Sequence, residues 1–507
     1  MSGQHAQAAP PDDAAIPGTQ PIVTRWSSGD QRHRIEIHNP ATGAVIAVID
    51  GCGSTEVDAA VRAAHAAFSG TWRQTPAARR AALLRAAAEL ISEHADELAR
   101  LETRENGKPY PQSRHMDVEA CIGSFRFFAD LIESRQPDVT MLGPIVSTEH
   151  LVPFGVVAAI LPFNWPPIHF GAKVAPALAV GNSVVLKPGE QAPLTVMRLA
   201  ELVGSLLPDD VLSVVPGGAE AGAALAGHPL VGMISATGSP QTGRSILASA
   251  AANLTPALLE LGGKNPLIVF ADADLDRAVA DAVEAAFLNK GEACTAASRI
   301  LVQHPIYQRF VSALARATRT IRVGDGLEPG IQVGPLVSAG QRDRVLSYLA
   351  LAEAEGARTT GQALPPSDPR LAGGYFVPPT VLAEVTPAMR VAREEIFGPV
   401  TAVIPFGTTD DAIAIANNTD FGLVAGVYSS DSATVSRVTQ GLEAGVIMVN
   451  NYYRNFLGTP FGGVKASGFG REHARSTLNE FGYIKSIRTL ARQASLPRPF
   501  IDTTAGL

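Results

Sequence analysis

The chain has 507 residues, more than one hydrophobic core usually supports, so two or three structural units are expected. Apolar residues make up 46% and charged residues 18%, which excludes a disordered or fibrous chain and fits a globular enzyme. A net charge of −7 argues against nucleic acid as a partner, because phosphate contacts need a basic face. No run approaches the roughly 20 unbroken apolar residues of a membrane span, so no membrane partner is expected either.

Residues 1–20 are rich in Ala, Pro and Asp and lack the basic start and apolar centre of a signal peptide, so a disordered tail is expected there. The cysteines number three, Cys52, Cys121 and Cys294. A sparse, odd count points to a reducing compartment, by default the cytoplasm, and leaves room for one reactive thiol. A helix is expected to open at Thr75-Pro76, with Thr75 as cap, and to run through Leu84, Ala87, Ile91, His94, Leu98 and Leu101 to a stop at Asn106-Gly107. Its spacing is that of a core-facing helix and carries no chemical signal.

From residue 155 the pattern changes to alternating strands and helices. Strands are predicted at 156–161, 183–186, 211–215, 231–236 and 266–270, with helices at 191–206 and 241–251. A second alternating region has helices at 275–288 and 306–321 and strands at 299–302, 400–405 and 446–450. This is the pattern of an α/β protein with two doubly wound parallel-sheet domains, where ligands bind beyond the C-terminal strand ends.

Several of those strand ends carry candidate chemistry. After the strand at 156–161 comes Pro162-Phe163-Asn164-Trp165-Pro166-Pro167, where the Asn164 amide could stabilise an oxyanion; aromatic packing in a Pro-rich loop explains it equally. Lys187-Pro188-Gly189-Glu190 ends the next strand with both charges, suited to ribose hydroxyls or merely to a surface ion pair. Thr237-Gly238-Ser239-Pro240-Gln241-Thr242-Gly243 opens a helix whose N-terminus could approach a pyrophosphate, although this is not the usual dinucleotide G-x-G-x-x-G. Glu260, before Leu261-Gly262-Gly263-Lys264, could take a proton from water. Cys294, in Lys290-Gly291-Glu292-Ala293-Cys294-Thr295, could be a nucleophile. Alone, the glutamate reads as solvated and the cysteine as a small buried residue.

Together, in this order and spacing, these residues resemble the aldehyde dehydrogenase superfamily. The resemblance continues through Glu394-Glu395-Ile396-Phe397-Gly398-Pro399, Asn417-Asn418-Thr419-Asp420-Phe421-Gly422-Leu423, Pro460-Phe461-Gly462-Gly463-Val464-Lys465 and Ser467-Gly468-Phe469-Gly470-Arg471-Glu472, and spans roughly residues 22–487. It implies NAD-dependent oxidation of a small-molecule aldehyde to an acid. Cys294 would be the nucleophile and Glu260 the base that hydrolyses the acyl-enzyme. Asn164 and the Cys294 N–H would form the oxyanion hole, and Lys173 would support proton movement near the base. Lys187 and Glu190 would hold the ribose, Gly238, Ser239 and Gly243 the cofactor turn, and Glu395 and Phe397 the nicotinamide end, with Pro162 and Leu261 also against the cofactor. The Glu190 carboxylate suits a free 2′-hydroxyl and would repel a 2′-phosphate, which favours NAD over NADP.

The resemblance further implies a cofactor domain over 21–133 and 153–262, a catalytic domain over 263–476, and oligomerisation elements at 134–152 and 477–500 of a homodimer or homotetramer. Three departures stand out. Phe163 and Trp165 flank Asn164 in the reverse of the frequent order, Pro240 stands where threonine is frequent, and Glu292 stands where glutamine is common. A charge at Glu292 would oppose a lowered Cys294 pKa if it pointed inward. Tyr452, Tyr453 and Phe456 in the loop at 450–458 suggest an apolar or aromatic aldehyde, or ordinary loop packing. A CoA-acylating enzyme on the same scaffold would not need Glu260. A cysteine hydrolase would need a histidine, which the motifs around Cys294 lack. A silent binding protein would not need the Cys294–Glu260 pairing.

Overall fold

The computed structural model describes residues 22–23, 25–27, 29, 33–454 and 457–490. The tail expected at 1–20, the segment 491–500 and Phe456 lie outside them.

Two mainly parallel sheets form the body. In the first, Leu212–Val214, Ser183–Lys187, Val156–Ile160, Val231–Thr237 and Ala257–Glu260 lie side by side and parallel. The first of these in the chain sits in the centre, so the order reverses between Val156–Ile160 and Val231–Thr237. That reversal opens the crevice where doubly wound sheets take their ligands. The strands are apolar runs because helices cover both faces.

The second sheet runs Arg358–Gln362, Thr380–Ala383, Val400–Phe406, Arg299–Gln303, Pro266–Val269, Val424–Tyr428 and Val446–Val449, parallel except at its first pair. The chain crosses from one sheet to the other within six residues, from Glu260 to Pro266, which places both candidate loops at one junction. The short strand Gly468–Phe469, numbered within the expected second domain, adds antiparallel to the edge of the first sheet beside Ala257–Glu260.

The segment after residue 134 forms Asp138–Leu142 and Ile145–Pro153, antiparallel strands joined by Gly482–Leu490 in nine paired positions. The early helix is two helices, Ala77–Glu93 and Ala95–Asn106, because His94 leaves helical geometry at φ −101 and ψ 15. Its cap position is Pro76 rather than Thr75, with no side-chain cap hydrogen bond. Gly107 ends the second helix at φ +88, as the Asn-Gly stop anticipates.

Candidate active site

Asn164 follows the central strand of the first sheet and is buried. Its side-chain amide donates to the Glu292 carbonyl at 3.1 Å, while its own backbone carbonyl accepts from Lys108 Nζ at 3.0 Å and Asn289 Nδ2 at 2.8 Å. One N–H of the amide is thereby used for orientation and a second is left for a ligand. Because Glu292 stands two residues before Cys294, this bond ties the Asn164 loop to the cysteine loop.

The cysteine loop reaches its position through left-handed backbone at Asn289, Lys290 and Gly291, with φ values of 50, 62 and 68. A side chain at Gly291 would lie 2.2 Å from the Gly398 carbonyl oxygen, so only glycine lets these segments meet. Asn265 then anchors the loop from the other sheet, donating to the Cys294 carbonyl at 2.7 Å and the Ala296 carbonyl at 2.9 Å. Gly263 packs so tightly against Cys294 that a Cβ there would meet its carbonyl oxygen at 2.5 Å. The turn after Glu260 therefore rests on the peptide that bears the thiol.

Cys294 is half-buried. Desolvation, then Glu260 and Glu395, push its thiol up to about 12, and Arg454 opposes them. Among the described residues no histidine is hydrogen-bonded to Cys294 or stands among the main influences on its thiol. Glu260 is buried at its strand end, and neither carboxylate oxygen has a hydrogen-bond partner among the described residues. Burial and the neighbouring Glu472 hold it well above the ordinary carboxylate range, with Lys173 and Arg471 opposing. Both shifts run toward the protonated form. A carboxyl with a raised pKa is a better base near neutral pH than an ordinary one. Lys173 does not bond Glu260. Its ammonium donates to Glu472 at 2.7 Å and to the Ser235 hydroxyl at 3.3 Å.

Glu292 points away from the thiol. Its carboxylate pairs with Lys290 at 2.9 Å and accepts from the Val337 N–H at 3.1 Å, all of it buried. The added charge is therefore compensated within the loop, and the expected opposition to Cys294 does not arise from it. Lys290 also donates to the Asn106 carbonyl at 2.8 Å and side-chain oxygen at 2.6 Å, while Asn106 donates to the Phe163 carbonyl at 2.8 Å. Lys108, beside it, pairs with Glu102 at 2.8 Å and with Asp117, and lies 4.2 Å from the Trp165 ring centre. The helix that carried no chemical signal in the sequence thus ends as a buttress under the Asn164 loop.

The candidate cofactor residues Pro162, Lys187, Glu190, Gly238 and Ser239 stand at or just after the C-terminal ends of Val156–Ile160, Ser183–Lys187 and Val231–Thr237. Lys187 is buried, its ammonium bonded to the Pro188 carbonyl at 3.2 Å, and desolvation lowers its pKa against the pull of Glu190. Glu190 faces Gly218, where a Cβ would come within 3.5 Å of its carboxylate. Pro162 and Phe163 pack on Gly189, whose Cβ would clash with them at 2.7–2.8 Å. Gly238 donates to the Glu260 carbonyl at 3.0 Å. Ser239 caps the helix Pro240–Ala251 by accepting from the Thr242 N–H at 3.1 Å, and Pro240 fills the first helical position, where proline suits a helix. Gly243 lies against Leu261, whose side chain would meet a Cβ at 2.6 Å. Across the junction, Glu395 accepts from the Gly263 N–H at 3.0 Å, and burial raises it to about 7. Phe397, at φ +62, sets its ring edge-on to Phe163 at 5.9 Å. The remaining Lys187 donors, the Glu190 carboxylate, which has no hydrogen bond among the described residues, and a glycine-lined helix N-terminus fit an extended dinucleotide bearing ribose and phosphate groups.

Comparison with known proteins agrees with this class of fold. Residues 26–487 match the model of the aldehyde dehydrogenase family. An aldehyde dehydrogenase of Monascus ruber is 47% identical over 474 residues, 93% of this chain and 94% of the relative. A betaine aldehyde dehydrogenase of Mesorhizobium japonicum is 38% identical, covering 92% and 97% of the two chains. The structure of betaine aldehyde dehydrogenase from Staphylococcus aureus, in complex with NAD+, superposes with a TM-score of 0.88 at 36% identity, covering 92% of this chain and 93% of that one. The chain belongs to the aldehyde dehydrogenase family, and an NAD-type cofactor accords with the neighbour solved with one.

The structure ties the Asn164, Glu260 and Cys294 loops together and sets Lys173 where its charge acts on Glu260. It adds Glu472, Asn265, Asn289, Lys108, Lys290 and Arg454, to which sequence reasoning gave no role. Glu472 lies in a quoted motif, but its pairing with Lys173 spans 299 positions and has no local signal. In the loop at 450–458, Tyr452 is buried and donates to the Thr295 carbonyl at 3.1 Å, whereas Tyr453 is exposed.

Proposed function

We propose that this aldehyde dehydrogenase oxidises its aldehyde to a carboxylic acid hydrolytically, with Cys294 as nucleophile and Glu260 as base. The observation that carries this reading is the junction itself, where the Asn164 amide is bound to the cysteine loop and the Glu260 turn rests on the Cys294 peptide. The Cys294 thiolate adds to the aldehyde carbon, and the remaining Asn164 N–H with the Cys294 N–H receives the developing oxyanion. NAD, held by Lys187, Glu190, Gly238, Ser239 and Gly243 with Glu395 and Phe397 at its nicotinamide end, supplies the hydride acceptor that turns the adduct into a thioester. Pro162 and Leu261 complete the walls of that crevice. Glu260 then takes a proton from water, which hydrolyses the thioester. The Lys173–Glu472 pair sits behind Glu260 and favours its charged form through the lysine.

Glu190 supports NAD over NADP by repulsion of a 2′-phosphate. Residues 21–133 and 153–262 supply the cofactor domain and 263–476 the catalytic one, with Gly468–Phe469 lent back to the first sheet. Three unpaired cysteines suit the cytoplasm. The three-stranded sheet suits subunit contact, because Val139, Met141, Leu142, Ile484, Ile487 and Leu490 are all exposed on it.

An aldehyde panel followed by NADH and NADPH formation, with and without CoA, tests the reading. Acid formation with NAD is expected, abolished in Cys294→Ala. Full activity in Cys294→Ala would refute the mechanism, and NADH formation that depends on CoA would replace water by CoA as acceptor.

A further inference from the structure

Arg454 carries a charge that none of the chemistry above uses. Among the described residues its guanidinium has no carboxylate partner. Its hydrogen bonds go to the Glu284 carbonyl at 3.0 Å and the Ala285 carbonyl at 3.5 Å, at the end of the helix Leu275–Phe287. A guanidinium has five N–H donors, so these two leave three without an acceptor among the described residues. Interaction with the helix dipole explains a cation at this place, but not its position relative to the nucleophile. The guanidinium carbon lies 5.6 Å from the Tyr452 ring centre, and the Tyr452 hydroxyl is bonded to the carbonyl of Thr295, next to Cys294. One tyrosine side chain therefore links Arg454 to the residue next to the thiol. It is half-buried, and its charge acts on Cys294.

A partly buried cation with free donors is costly to leave unpaired and well shaped to accept a planar carboxylate on two N–H groups. We propose that Arg454 determines substrate charge, selecting an aldehyde whose far end, about a ring's length from the carbonyl, carries a carboxylate, and disfavouring one that carries a cation. This rests on the oxidation at Cys294 proposed above and deepens it.

The test compares 4-carboxybenzaldehyde, benzaldehyde and 4-(trimethylammonio)benzaldehyde by NADH formation in the wild type, Arg454→Met and Arg454→Lys. In the wild type, kcat/KM for the carboxylate should exceed that for benzaldehyde by on the order of 10- to 100-fold, as a charge-assisted hydrogen-bond pair implies, chiefly through KM. The trimethylammonium compound should be the poorest. Arg454→Met should bring the carboxylate-to-neutral ratio to within about threefold of unity, and Arg454→Lys should keep part of it, because it retains the charge but not the fork. Benzoate should inhibit the wild type at least about tenfold more tightly than benzamide, an arm that needs no variant to fold. Equal kcat/KM for all three aldehydes in the wild type, or an unchanged ratio in Arg454→Met, would overturn the assignment to Arg454 while leaving the oxidation in place. NADH from none of the three would overturn the underlying reading, and this proposal with it.

Discussion

At the scale of single residues, the site is governed by charges that burial makes expensive. Glu260 has no hydrogen-bond partner for its carboxylate, so its pKa rests on desolvation and on the nearby Glu472, against Lys173. A base works only when deprotonated, so turnover must fall as pH drops through that raised pKa, which lies well above 4.5. Removing the Lys173 cation removes a lowering influence and raises Glu260 further. The acid limb of the kcat–pH profile in Lys173→Met should therefore move to higher pH. An unmoved limb, or one shifted to lower pH, would remove Lys173 from this role. Cofactor choice belongs at the same scale. Glu190→Gln should raise the NADP-to-NAD ratio of kcat/KM by roughly tenfold, the size of one modest charge repulsion; an unchanged ratio would free Glu190 from discrimination.

At the scale of elements, loops are held by groups that lie far apart in sequence. Glu292 and Lys290 form a buried pair whose lysine reaches back to Asn106 at the end of a helix. Glu292→Ala would strand the Lys290 ammonium in the interior, and breaking such pairs typically costs about 3–5 kcal/mol. Chemical denaturation should show a loss of that order, and a loss below about 1 kcal/mol would mean that Asn106 alone satisfies Lys290. The parallel strands were legible in the sequence because strands covered on both faces are unbroken apolar runs, as at Val156–Ile160 and Ser183–Lys187. The break at His94 was not, since Ala87, Ile91 and Leu98 keep helical spacing across it. The candidate site residues were legible because Cys294, Glu260 and Asn164 stand in a recognisable order. Their supports were not. Lys108 and Lys290 look like surface lysines until the fold closes around them, and Arg454 looks like one more loop residue.

At the scale of the whole molecule, two parallel sheets meet where the chain passes from Glu260 to Pro266, and a third, antiparallel sheet stands apart with a largely exposed face. All five residues of Asp138–Leu142 are exposed, as are eight of the nine in Gly482–Leu490. Val139, Met141 and Ile487 share one face of this sheet by its register, and exposed apolar residues so grouped suit a partner subunit. Ile487→Asp should reduce the mass measured by light scattering toward that of one chain, and an unchanged assembly would place the subunit contact elsewhere.

The central claim is that Cys294 carries the acyl group and Glu260 removes it. It is tested most directly by intact and peptide mass spectrometry of Glu260→Gln, mixed with a substrate aldehyde and NAD and quenched within the first turnover. The expected result is an acyl adduct on Cys294 with about one NADH released per subunit, followed by slow turnover. An unmodified Cys294 alongside a steady-state rate equal to that of the wild type would contradict the account.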